Sequence, residues 1–133
     1  MTAPLSKKAK RKKLNTEFMQ KMHRNHTLEK SIMPYIDVNK KDLFGFTALY
    51  WAISHNNIHN LKILMDFGAT LQVTSTVNAL FYTISCDNLE ILKYFIEKGI
   101  DKNLSKVNNT GKSYTLLEEA IKLKRMAIIE YLK

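Results

Sequence analysis

Two histidines, His55 and His59, stand four residues apart. That spacing puts two imidazoles on one helical turn and could hold a zinc ion. Asn56 and Asn57 fall between them and read as a helix break, and no third ligand is close in sequence. No metal is therefore expected. Cys86 is the single cysteine, and a nucleophilic thiolate would need His23, His26, His55 or His59 beside it as a base. Nothing in the spacing brings one there. Gly111-Lys112-Ser113 has the ending of a phosphate loop, but that motif needs a glycine at position 106, which is Lys106, and no strand pattern precedes it. No paired carboxylates and no triad fall at useful spacing. No catalytic residue and no cofactor are expected, and the enzyme class is disfavoured.

The chemistry that remains is electrostatic and apolar. The chain carries a net charge of +9, but Lys7, Lys8, Lys10, Arg11, Lys12 and Lys13 supply six of its 21 basic residues. Without them 15 basic residues face 12 acidic ones, so the rest of the chain is mildly basic. The run resembles a nuclear import signal. It could equally attract nucleic acid or anionic lipid through phosphates, or serve as a solubilising tail. No aromatic residue is interleaved with it, so base stacking is not supported. Any nucleic-acid or anionic-lipid contact is expected only through this tail.

The second feature is Leu43-Phe44-Gly45-Phe46. Turn tips are usually polar, and three large apolar groups around one glycine mark a contact site. The competing reading is that they fold back as a lid on the helices before them.

These residues need elements to hold them. At 133 residues one domain is the default, and the 45% apolar fraction is ordinary for a soluble globular chain. Residues 1–14 form a basic tail with too few large apolar groups to fold by burial, so disorder is expected. MTAPLSKKAKRKK has no apolar stretch after its charges, so no secretory signal is expected. One cysteine fits a reducing compartment, no run is long enough to span a membrane, and an intracellular monomer in cytoplasm or nucleus is expected. Residues 15–36 read as a helical cap or degenerate repeat. Phe18, Met19 and Met22 share one helix face, and Thr27 is a candidate cap for a second helix that Pro34 shortens or distorts.

Residues 47–70 and 78–101 then align without a gap at an offset of 31, with 8 of 24 positions identical. Each copy gives a short helix beginning after Thr47 or Asn78, a break at Asn56-Asn57 or Asp87-Asn88, and a second helix ending at Gly68 or Gly99. A weaker third copy starts at Thr115, after about six extra residues in the polar stretch 103–114, read as a loop. A period of this size is the mark of a stacked repeat array.

The chain resembles the ankyrin repeat. Asp42, Gly45, Thr47, Leu49, Ala52, Leu61, Lys62, Leu64, Gly68 and Ala69 match the family pattern in the first unit. Leu80, Leu89, Glu90, Ile91, Lys93, Glu97, Gly99, Asp101 and Asn103 match it in the second. Asp37-Val38-Asn39 resembles the tail of an earlier unit. The histidine of the family's Thr-Pro-Leu-His is Tyr50, Phe81 and Glu118 here, and its break glycine is Asn56, Asp87 and Lys124. The resemblance implies an all-α, ankyrin-type helix-turn-helix solenoid with short hairpins. It places an ankyrin domain at 37–133, in units of about 42–72, 73–103 and 109–133.

It also implies a non-catalytic protein–protein scaffold or adaptor, which the tail and the composition would direct to the nucleus or to a host; the alternative reading is a nucleic-acid- or anionic-membrane-associated protein that uses the basic tail. Family partners contact hairpin tips and the inner face of the first helices. Carried over, that surface is Leu43, Phe44 and Phe46; Thr74, Ser75 and Val77; Tyr114; and Trp51, Ser54, His55, Tyr82 and Cys86.

Overall fold

The computed structural model describes residues 4–133. They divide into two compact units, one ending at Thr76 and one spanning Val77–Lys133. A single domain was the expectation from length. Burial in repeat chains is local in sequence, and each unit has its own buried side chains.

The first unit opens with α1, Lys7–His23, and continues through a 3₁₀ segment at Lys30–Tyr35 to α2, Ala48–Ser54, and α3, Ile58–Asp66. The expected disordered tail is corrected here, since Lys7 to Leu14 are helical. Lys, Arg, Ala and Leu are strong helix formers. The Ser6 hydroxyl accepts the Ala9 amide as an N-cap, and the run continues into a turn anchored by buried Phe18 and Met22. Residues 1–3 of the tail lie outside the described residues. Pro34 sits inside the 3₁₀ segment, whose N-cap is Glu29 rather than Thr27. Proline cannot supply the amide that an α-helix would need there.

α1 packs on α2, and α2 on α3. Phe18, Met22, Leu28, Met33, Leu49, Ile53, Leu61 and Leu64 are buried. Polar ties join successive segments. Asn60 Oδ1 accepts the Leu28 amide at 2.8 Å while its Nδ2 donates to the His26 carbonyl at 2.8 Å. Asn39 donates to the Gly68 carbonyl and accepts the Thr70 amide. Thr47 stands at the N-cap of α2, but its hydroxyl makes no capping bond and is buried without a partner. Its backbone amide instead donates to the Val73 carbonyl.

The second unit carries α4, Ala79–Ser85; α5, Leu89–Glu97; the strands β1, Ser105–Val107, and β2, Ser113–Thr115; then α6, Leu116–Lys122, and α7, Met126–Leu132. Leu80, Ile84, Leu92, Phe95, Leu116 and Ile128 are buried. α4 packs on α5 and α6, and α6 on α7. The stretch expected to be a loop is a β-hairpin, with Lys106 opposite Tyr114 in an antiparallel register. Thr115 and Glu118 form a full capping box at α6. Arg125 donates to the carbonyls of Ile84 and Ser85, at the end of α4.

The helix breaks share one geometry. Asn25, Asn56, Asp87 and Lys124 have φ of 58°, 54°, 54° and 58°. The residue after each donates back to Lys21, Ala52, Thr83 or Ala120, so a left-handed residue closes each first helix. Asn25 was not expected in this set. It precedes Asn56 by 31 residues and repeats the same break geometry.

Candidate partner-binding surface

The first tip is built on Asp42. Its amide donates to the Phe46 carbonyl at 2.8 Å, and Gly45, at φ 85°, donates back to the Asp42 carbonyl. Asp42 Oδ1 accepts the amides of Phe44 and Phe46 at 2.9 and 3.0 Å. Oδ2 accepts His23 Nε2–H at 2.9 Å and Trp51 Nε1–H at 2.8 Å. One carboxylate thus fixes the turn and ties it to both α1 and α2. Burial pushes the Asp42 carboxyl up, but the Phe46 amide, His23, Trp51 and the Phe44 amide outweigh it, and the group sits below its ordinary value.

The same frame recurs in the β1–β2 turn. Asn108 donates to the Lys112 carbonyl, Gly111 (φ 82°) donates to the Asn108 carbonyl, and Asn108 Oδ1 accepts the amides of Thr110 and Lys112. Asn109 and Thr110 occupy the places of Leu43 and Phe44. The frame needs the Asx residue and the glycine, and it makes no demand for apolar side chains between them. Leu43 and Phe44 are nevertheless 101% and 71% exposed, so the lid reading fails for this pair. Phe46 does fold back, stacking on Tyr50 at a centroid distance of 4.0 Å.

Behind the tip runs an aromatic wall. Trp51 lies 5.8 Å from Phe46, 4.3 Å from His23 and 6.2 Å from His55. His55 Nε2–H donates to the His23 carbonyl at 2.9 Å, which fixes that nitrogen as the protonated one. Leu43, Phe44, Phe46, Trp51 and His55 therefore come together in the first unit, and Trp51 holds the tip in place through its bond to Asp42. Ser54 is exposed on α2 and donates to the Tyr50 carbonyl. Thr74 and Ser75 lie in a bend, where the Thr74 hydroxyl accepts the Thr76 amide.

In the second unit Val77 precedes α4, Tyr82 is half-buried on it, and Cys86 is its C-cap. Burial pushes the Cys86 thiol up, with a bond to Tyr82 and the charge of Arg125 opposing it, so the neutral thiol prevails at pH 7. Tyr114 meets the Phe81 ring edge-on at 5.6 Å. A strand does precede Gly111-Lys112-Ser113, but a second strand follows, not the helix a phosphate loop requires. Lys7 to Lys13 surround the first turns of α1 on all sides.

A groove of about 370 Å³ lies between α1 and the segment leading into the first tip. Met19 and Gln20 form one wall, Lys40, Lys41, Leu43 and Phe44 the other. The groove's lysines and α1 residues were absent from the expected surface. The signal for them was Lys40-Lys41, a charge pair directly before an apolar turn.

A family model for ankyrin repeats, in three copies, matches residues 9–106. The chain belongs to the ankyrin repeat family. The match begins within α1. A fowlpox virus (strain NVSL) ankyrin repeat protein is 28% identical over 90 residues, covering 62% of this chain. The chain spans 14% of that relative's length. Ankyrin repeats are helix-turn-helix protein–protein interaction modules, and the family is typically a non-enzymatic scaffold. No helix among the described residues is long and apolar enough to cross a membrane.

Proposed function

We propose that this ankyrin chain is a non-catalytic adaptor that engages a protein partner through the Asp42–Phe46 tip, the groove beside it and the exposed edge of the aromatic wall. One observation carries the reading. Two equivalent Asx-Gly turns are held by the same bonds, and only one displays large apolar side chains to solvent. Exposing Leu43 and Phe44 costs solubility and adds to the turn only the stacking of Phe44 on Phe46 at 6.5 Å, whereas aromatic and aliphatic anchors concentrate binding energy at interfaces. Ser54, Thr74, Ser75, Val77, Tyr82, Cys86 and Tyr114 are secondary candidates, as residues at the family's contact positions.

A photo-crosslinking residue at position 44 should capture a protein partner that the same residue at Asn109 does not. Phe44→Ala should abolish that capture. Unchanged partner binding by Phe44→Ala would sink the proposal.

The basic half of α1 supports a second reading, in which it binds polyanions or an import receptor. Its six cations have no acid in the first helical turn, and an import receptor that takes an extended strand would have to unwind the helix. Salt titration separates the readings, since binding driven by this segment weakens steeply with salt and is lost when residues 7–13 are neutralised.

A further inference from the structure

The geometry points to an acidic peptide segment with apolar anchors as the partner element that fills the groove between α1 and the first tip. This rests on the adaptor reading and adds the chemistry of what is bound. The groove, at about 370 Å³, has room for a few side chains of an extended or helical segment. Leu43, Phe44 and Met19 give it apolar contacts, and Gln20 a neutral polar one.

Its charge is one-sided. Asp42 lies on the wall, but its carboxylate is turned inward and taken by four donors. Lys40 and Lys41 are exposed, and among the described residues neither has a carboxylate within salt-bridge distance. Asp37 is the one exposed acid on the lining, and it accepts the Asn39 amide.

The α1 wall continues the same sign. Thr16, Met19, Gln20 and His23 line the groove, and positions three and four apart share a helix face. Lys12 and Lys8 therefore extend that face beyond Thr16. Glu17 stands about 100° round the helix from Thr16, at the Gln20 border of that face, and is the one acid there against Lys8 and Lys12. A segment lying along this face meets apolar groups at the tip and cations along its length, and carboxylates beside apolar anchors complement both.

Two other occupants fit less well. A bilayer would cover Leu43 and Phe44 but leave a groove open beneath them. A nucleic acid would find cations but few faces to stack on, because Phe46 is already stacked on Tyr50 and Leu43 offers none.

The test is selection of a random peptide display library on the full chain at about 0.1 M salt. Vesicles containing phosphatidylserine and a single-stranded DNA 20-mer serve as parallel probes. Selected peptides should be enriched in Asp and Glu together with Leu, Phe or Trp. Their affinity should fall about tenfold or more in Leu43→Ser/Phe44→Ser and in Lys40→Glu/Lys41→Glu, and it should fall with rising salt. All four positions are exposed, and far-UV circular dichroism confirms that each variant is folded. Peptides without acidic enrichment that still depend on Leu43 and Phe44 would overturn the charge assignment and leave the adaptor reading standing. Peptides indifferent to both double variants would overturn the location. Vesicles or DNA bound through Leu43 and Phe44, with no peptide selected, would overturn this inference and the adaptor reading together.

Discussion

Asp42 is the residue on which the first tip depends. Replacing it with Asn keeps an oxygen for the two turn amides but presents an NH₂ group to His23 and Trp51, which both donate. Asp42→Asn is expected to destabilise the chain by about 1–3 kcal/mol, as for a buried acceptor lost, measured by urea unfolding. At Asn108 the side-chain donor, the Thr110 hydroxyl, shares Oδ1 with the turn amides, so Asn108→Asp should change stability by less than about 0.5 kcal/mol. Because the folded carboxyl sits below its ordinary value of 3.8, its contribution is present above that pH and is lost as pH falls through the folded value. The acid limb of the stability–pH curve should therefore be shallower in Asp42→Asn, and an unchanged limb would refute the role.

Lys124 gives a second residue-scale expectation. It occupies the left-handed position that Asn and Asp fill elsewhere, and a lysine there is strained. Lys124→Gly should stabilise by about 0.5–1 kcal/mol, less its own loss of chain entropy, and more than Asn56→Gly does in the same thermal melts. Lys124 was readable in advance as the break position from the register of the repeat. Asn25 was not, because its flanking residues share almost nothing with Asn56 beyond the backbone bond they make.

At the scale of elements, the aligned copies made α2 to α5 legible, down to the breaks at Asn56 and Asp87 and the closing glycines. Two elements were not. The β1–β2 hairpin was hidden because Asn108-Asn109-Thr110-Gly111-Lys112 reads as generic loop composition, and its likeness to Asp42–Phe46 lies in bonds rather than in residue types. The start of α1 was hidden because charge repulsion and burial argue against order, while propensity and continuity with a packed helix argue for it. Six cations near the helix N-terminus oppose the macrodipole and one another. Added salt should therefore increase helix content over residues 7–13, read by backbone amide exchange. A decrease with salt would contradict that balance.

For the whole molecule, the repeat architecture was available from spacing and the family from the residues that match its pattern, whereas the proposed binding surface was only half visible. The apolar tip stood out as a turn of the wrong composition, but the groove depends on α1 meeting the segment before that turn, which no local pattern encodes. Partner binding and folding should separate cleanly here. Leu43→Ser/Phe44→Ser is expected to shift stability by no more than about 0.5 kcal/mol while weakening partner binding by tenfold or more. Ile53→Ala, on a fully buried residue, should do the reverse, with a stability loss of about 2–5 kcal/mol. Paired melting and binding curves on both variants check this.

The Asx-Gly turn, present once with Leu43 and Phe44 and once with Asn109 and Thr110, works as an interchangeable mount. The two displayed side chains take no part in the bonds that hold it, so on the adaptor reading recognition and foldability fall there largely on separate residues. On that reading a lineage carrying this chain could change its target quickly, and a designer could graft a new recognition pair at 43 and 44 and leave the rest of the protein alone.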